Sequence, residues 1–274
     1  MTNAMASKNL LFQSEQHPLV SQYFDKPETY LLSLIHRRAY GRASDLAEGK
    51  EVLDLGCNNG YGTAILAERA LKVCGVDVSH SAVEAARSRH AAANIDYKVV
   101  DGGSLPFSDD SFDLVTSFQV IEHVDNVDSY LREISRVLRK DGHAVFTTPN
   151  RCIRLRKGQR PWNPFHLREY EASELATTLC AVFSKVAVEG LFAPPQLQAI
   201  EERRVARARR AGRSGLALLR AVRLAMRRVT PARSGMQKTP EELRSFMTQW
   251  TTEDLFYLDE GMDRALDLIA ICQR

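Results

Sequence analysis

The stretch EVLDLGCNNGYG, residues 51–62, constrains this 274-residue chain more than any other. Val52, Leu53 and Leu55 form a short apolar run of the kind that fills a parallel strand buried on both faces. Gly56, Asn58, Asn59, Gly60 and Gly62 break that strand into a turn, and the alanine- and leucine-rich segment 63–70 predicts a helix directly after it. Strand, glycine-rich turn and helix make up the opening unit of a nucleotide-binding α/β fold.

The rest of the chain continues the alternation. Strands are predicted over 71–78, 95–102, 112–120, 143–150, 182–190 and 264–274. Helices are predicted over 27–46, over 79–93 with Ser79 as its cap, over 126–139, over 172–179, and as a short piece within 251–258. Tyr30, His36 and Tyr40 on the first helix read as packing residues. Such alternation implies a mostly parallel sheet with helices on both faces. The expected organisation is an N-terminal segment and helix over 1–46 that can fold over a site, then a core over 47–190. An insertion over 191–250 follows, and 251–274 closes the core.

Composition excludes several other classes. With 44% hydrophobic and 26% charged residues the chain buries a core of ordinary size. Its five cysteines are scattered without a CxxC pair, so neither a disulfide framework nor a structural zinc site is indicated. Cys57 reads as a small residue that fits the turn. No signal-peptide architecture opens the sequence, and no run of ~18 apolar residues occurs, so a cytoplasmic location is expected.

Charge is concentrated in one place. Residues 201–233 hold eleven arginines, no lysine and two glutamates, a local charge of +9 in a chain of net +3. Leu216, Leu219, Val222, Met226 and Val229 recur at helical spacing with arginines between them, which predicts a basic amphipathic helix. A solvated face, an anionic membrane surface and a phosphate-bearing carrier are its open readings. Nucleic acid is disfavoured, because no aromatics are interleaved for base stacking.

The acids at the strand ends select the cofactor. A dinucleotide needs G-x-G-x-x-G, but counting from Gly56 puts Asn58 and Tyr61 where the second and third glycines belong. S-adenosylmethionine has no phosphate and makes other demands. Its ammonium calls for a carboxylate and carbonyls at the turn, offered by Asp54 and Gly56. Its ribose diol calls for an acid at the tip of the second strand, Asp77, and its adenine amine for an acceptor near the third, Asp101. With the turn residues Cys57, Asn58 and Gly60, and with Val78 and Gly102 beside the two later acids, these form the expected binding set.

The motifs VLDLGCNNGYG, GVDVS, LPFSDDSFDLVTSFQVIEHV and LREISRVLRKDGHAVFTTPN resemble those of class I S-adenosylmethionine-dependent methyltransferases, in the group that modifies small molecules and sugars. The resemblance covers about 46–190 and the last strand. It implies a Rossmann-like sheet of seven strands with an antiparallel last strand, and adds Phe118 and Gln119 to the cofactor set. The family turn usually has glycine at the position of Asn58, and asparagine tolerates left-handed backbone better than most residues.

Methyl transfer is an in-line displacement, and an alcohol acceptor additionally needs a base. His123 in IEHV and His166 in NPFHLREY are the candidates, with Glu122, Glu169 and Tyr170 as orienters; a structural role stays open for both histidines. No metal is expected, although Glu122, His123 and Asp125 have donor chemistry for a divalent ion. The resemblance to enzymes acting on sugars and glycans, often lipid-linked, gives the arginine-rich segment a phosphate-bearing carrier or membrane surface to hold. An RNA methyltransferase and a non-catalytic binding module are the rival readings; acids at all three cofactor positions argue against the second.

Overall fold

The computed structural model describes residues 24–211 and 240–274. The expected N-terminal segment before residue 24 and the basic helix over 216–229 lie outside the described residues. Among the described residues, eight strands form one sheet: β1 (Glu51–Leu55), β2 (Lys72–Asp77), β3 (Ile95–Val99), β4 (Phe112–Phe118), β5 (Leu138–Pro149), β6 (Lys185–Phe192), β7 (Phe256–Leu258) and β8 (Asp267–Gln273). Their order is β3-β2-β1-β4-β5-β8-β6-β7. Strands β1 to β5 pair in parallel, whereas β8 runs antiparallel between β5 and β6.

Helices α1 (Pro27–Ser44), α2 (Tyr61–Ala67), α3 (His80–Arg89), α4 (Val127–Val137), α5 (Arg151–Arg154), α6 (Ala172–Cys180), α7 (Pro195–Ala211) and α8 (Glu241–Gln249) accompany the sheet. Side-chain alternation in the strands sorts the core into two layers. Leu53, Leu55, Val115, Ala144 and Phe146 meet Leu131 and Ile134 of α4 on one face. Val52, Leu114, Val145 and Ile269 meet Tyr40 of α1 and Leu66 of α2 on the other. Ser79 caps α3 by accepting from the amide of Ala82, as expected, and Asn126 caps α4 by accepting from that of Ser129.

The differences from the sequence reading have local causes. The sheet has eight strands, not seven, because only residues 252–254 of the expected 251–258 helix are helical. Phe256–Leu258 pairs instead with the edge of β6, where an aromatic tripeptide meets unpaired backbone groups. Strand β3 stops at Val99, so Asp101 follows it in irregular backbone just before a bend at 102–104 rather than ending it. The 126–139 helix stops at Val137, and Leu138 begins β5 through an irregular register against β4. The sixth strand also ends later than expected. Strand β6 runs on to Phe192, and α7 buries Leu197 against Leu31, Leu34 and Ile35 of α1. Among the described residues, no helix is long and apolar enough to cross a membrane.

Candidate active site

The chain leaves β1, builds β2 and β3 on one side, then returns to β4 on the other. The strand order therefore reverses between β1 and β4, where open α/β sheets form a crevice at the carboxyl ends of their strands. The glycine turn stands at that point. Gly56, Asn58 and Gly60 all have positive φ, at 82°, 48° and 84°. The amides of Gly56 and Cys57 both reach the carbonyl of Val76, folding the turn onto β2. A Cβ on Gly56 would come within 2.6 Å of Val120, just past β4, so only glycine lets the two strand exits lie this close. Asn58 adopts the left-handed backbone that its residue type tolerates. Cys57 is buried with Val83, Ala86 and Tyr97.

Asp54 is turned inward. Alternation along β1 sends it to the face of α1 and α2, and three hydroxyls surround it: Thr63 at 2.6 Å, Thr116 at 2.9 Å and Tyr40 at 3.2 Å. Burial pushes its pKa up to about 6, partly offset by those three donors. The sequence reading aimed this carboxylate at a ligand ammonium; in the structure its three hydroxyl partners tie β1 to β4, α1 and α2. Tyr40, read as a packing residue, also fills the space over Gly62, where a Cβ would overlap its ring.

Asp77 ends β2 and links three elements. Its Oδ2 accepts from the Asn58 amide at 3.0 Å and its Oδ1 from the Ser79 amide at 2.9 Å. Burial raises its pKa, and the backbone amides of Ser79, Asn58 and Val78 offset part of the rise. A carboxylate offers about four lone-pair sites, so Asp77 keeps acceptor capacity beyond its backbone amide bonds. Val78 follows it, half-buried against the main core. Asp101 is exposed and accepts from the amide of Gly103 at 2.8 Å, while Gly102 between them has φ 78°.

At the tip of β4, Phe118 packs edge-on against Tyr40, with ring centroids 4.6 Å apart. Gln119 has φ 57°, and its amide nitrogen donates to Asp267 of β8 at 2.9 Å. Asp267 is fully buried, and burial lifts its pKa well above the carboxylate range against the effect of the Gln119 bond.

The three catalytic candidates converge. The short helical turn Ile121–His123 follows β4, and residues 163–170 cross over it, held by the amides of Leu167 and Arg168 on the Glu122 carbonyl. His123 donates Nδ1–H to the Phe165 carbonyl at 2.9 Å, and its ring meets that of His166 edge-to-face at 4.8 Å. His166 in turn bonds Glu169 through Nδ1 at 2.9 Å. Burial alone would raise Glu169, but His166 and Arg154, whose guanidinium lies 3.0 Å away, hold it below its usual range. Arg154 also stacks 4.3 Å over Trp162. Glu122 is completely buried; burial pushes its pKa up to about 8, and the Thr148 hydroxyl at 3.1 Å offsets part of that. The sequence pointed to the two histidines and both glutamates. It did not point to Arg154, whose partner lies fifteen residues away on the crossing segment.

S-adenosylmethionine fits the residues present on observations of the fold itself. The turn needs glycine at Gly56 and Gly60, where a Cβ would strike Val120 or Tyr97 and Ala86, so its backbone stays bare and closely packed at the crevice. Asn59 has a buried Oδ1 without a hydrogen-bond partner among the described residues. Asp77 keeps acceptor sites in reserve.

Comparison with known proteins agrees. A methyltransferase-domain family model matches residues 53–146. A probable S-adenosylmethionine-dependent methyltransferase of Mycobacterium tuberculosis H37Rv is 35% identical over 87% of this chain and 82% of its own length. A fatty-acid O-methyltransferase of Mycolicibacterium smegmatis is 33% identical over 45% of this chain and 44% of its own. A crystal structure of an S-adenosylmethionine-dependent methyltransferase from Mesorhizobium loti superposes with a TM-score of 0.51 at 21% identity, over 86% of this chain and 98% of that one. This chain belongs to the S-adenosylmethionine-dependent methyltransferases, and S-adenosylmethionine is its cofactor.

Proposed function

We propose that this methyltransferase acts on an oxygen of a small-molecule or glycan-like acceptor, including one carried on a lipid or a phosphate. The observation that carries the reading is the convergence of His123, His166 and Glu122 at the exit of β4, directly after Val120, which lies against the turn at Gly56. A hydroxyl acceptor needs a base in reach, whereas an amine needs less help. The name of the fatty-acid O-methyltransferase relative supports oxygen as the acceptor atom.

In this reading the cofactor, when bound, supplies an electrophilic methyl group on its sulfonium. Asp77 takes the ribose hydroxyls, and Gly56, Cys57, Asn58 and Gly60 offer their backbone to the amino-acid end. Asp101 and Gly102 border the adenine. Phe118 and Gln119 wall the crevice from β4, and Val78 wall it from β2. Asp54 holds the turn in place from behind through its three hydroxyl bonds.

A carbonyl can only accept, so the Nδ1 of His123 carries a proton, and the carboxylate of Glu169 fixes the same tautomer for His166. A ring held in that tautomer carries its lone pair on Nε2 whenever it is uncharged, and that is the atom that would take the proton of an acceptor hydroxyl. Arg209 of α7 donates to the carbonyls of Ile153 and Arg154, which sets the α7 arginines beside the exposed Arg156, Lys157 and Arg160, suiting a phosphate-bearing carrier or an anionic membrane.

The test is transfer of labelled methyl from S-adenosylmethionine into extracted small molecules and lipid-linked glycans, with the product read by mass spectrometry and NMR. An O-methyl ether or ester is expected. Label confined to RNA, or N-methyl products alone, overturns the reading.

A further inference from the structure

Glu122, His123 and His166 each offer a ligand atom within 4.8 Å of the other two, and all three residues are buried. The sequence grouped Asp125 with Glu122 and His123, but Asp125 is exposed, and the crossing segment supplies His166 instead. Two further observations concern how these donors are held.

Both imidazoles are oriented from behind. His123 donates Nδ1–H to a backbone carbonyl, and His166 donates Nδ1–H to a carboxylate that Arg154 neutralises. A ring N–H tied to a carbonyl or a carboxylate is how proteins fix the tautomer and angle of a metal-bound histidine. Glu122 supplies the second observation. Its Oε2 accepts from Thr148, but its Oε1 is buried with no hydrogen-bond partner among the described residues. Leaving a buried carboxylate oxygen unsatisfied is costly, and a cation beside it removes the cost.

We propose that Glu122 Oε1, His123 Nε2 and His166 Nε2 bind a divalent first-row transition-metal ion. Two imidazoles and one carboxylate suit such an ion, whereas Mg²⁺ and Ca²⁺ prefer shells of oxygen. Three protein ligands leave a position for water or an acceptor oxygen. With the ion in place the histidines serve as its ligands, and the ion's charge favours the ionised acceptor. Metal uptake does not rest on the oxygen-acceptor reading, since it is measured with no acceptor present, and a failure here leaves that reading untouched.

The test uses the full chain without an affinity tag, stripped by a chelator and titrated with Co²⁺ in the visible range and with Zn²⁺ by calorimetry. Wild type is expected to take up one ion per chain. Glu122→Gln and His166→Gln are each expected to weaken uptake at least about tenfold, while Asp125→Asn leaves it unchanged. X-ray absorption of the zinc-loaded wild type is expected to show two imidazole scatterers, a result that needs no variant to fold. No uptake of either ion by wild type, or a coordination shell without imidazole, overturns the proposal. So does unchanged affinity in both ligand variants.

Discussion

The amide of Asn58 donates to Asp77 Oδ2 across 3.0 Å, so the turn after β1 is latched to the tip of β2. Both residues belong to the proposed cofactor set. Asp77→Ala removes the latch and the proposed ribose contact together. Affinity for S-adenosylhomocysteine, measured by calorimetry, should fall by about 1.5–3 kcal/mol, the range for hydrogen bonds to a charged group. Unchanged affinity would remove Asp77 from the binding set.

Asp54 predicts a pH dependence of stability. Its folded pKa of about 6 lies above the ordinary 3.8, so the folded chain holds the proton where the unfolded chain has lost it. The stability it contributes is full below the lower value and falls as pH rises through the upper one. Urea denaturation of wild type and Asp54→Asn should show the difference between them changing by roughly 2 kcal/mol from about pH 4.5 to about pH 7.5, to the disadvantage of wild type. A constant difference would show that Asp54 ionises in the fold as it does in solution.

Gly62 is held at glycine by a neighbour rather than by its backbone angle. Any Cβ there would overlap the Tyr40 ring, whose nearest atom would lie at 1.9 Å. Gly62→Ala should destabilise by about 1–3 kcal/mol, the range for overpacking. Adding Tyr40→Leu opens the space, so the two losses should fall short of additive by at least about 0.5 kcal/mol in a calorimetric double-mutant cycle. Strict additivity would mean the α1–α2 contact relaxes freely.

The histidine pair separates binding from turnover. Replacing His123 or His166 by Gln should lower turnover by about 10²–10⁴-fold, while affinity for S-adenosylhomocysteine stays as in wild type. A variant that turns over at the wild-type rate excludes that histidine from the chemistry; one that loses cofactor instead assigns it to the architecture.

Much of this arrangement is legible in the residues because it depends on local chemistry. Gly56 and Gly60 announce a left-handed turn, and Asp77 ends a strand whose apolar run is plain. Asn58 sits in left-handed backbone, the conformation its residue type accommodates. Asp54 shows where such reading stops. Its direction depends on the phase of β1 against α1, and its partners Tyr40, Thr63 and Thr116 come from three separate elements. The same holds for Arg154 with Glu169 and for Gln119 with Asp267. Strand β7 was hidden for another reason: three residues carry no usable period, and only the open edge of β6 decides their conformation.

The place of β8 bears on the order in which the protein can be completed. A ribosome releases β1 to β5 and β6 well before Asp267 emerges, yet β8 must enter between β5 and β6 and pair with both. Until it does, the sheet is two unjoined pieces, and Gln119 lacks the buried acid that receives its side chain. The cofactor crevice is therefore finished from the far end of the chain, and a nascent polypeptide halted before that strand presents a glycine turn beside an unsupported wall.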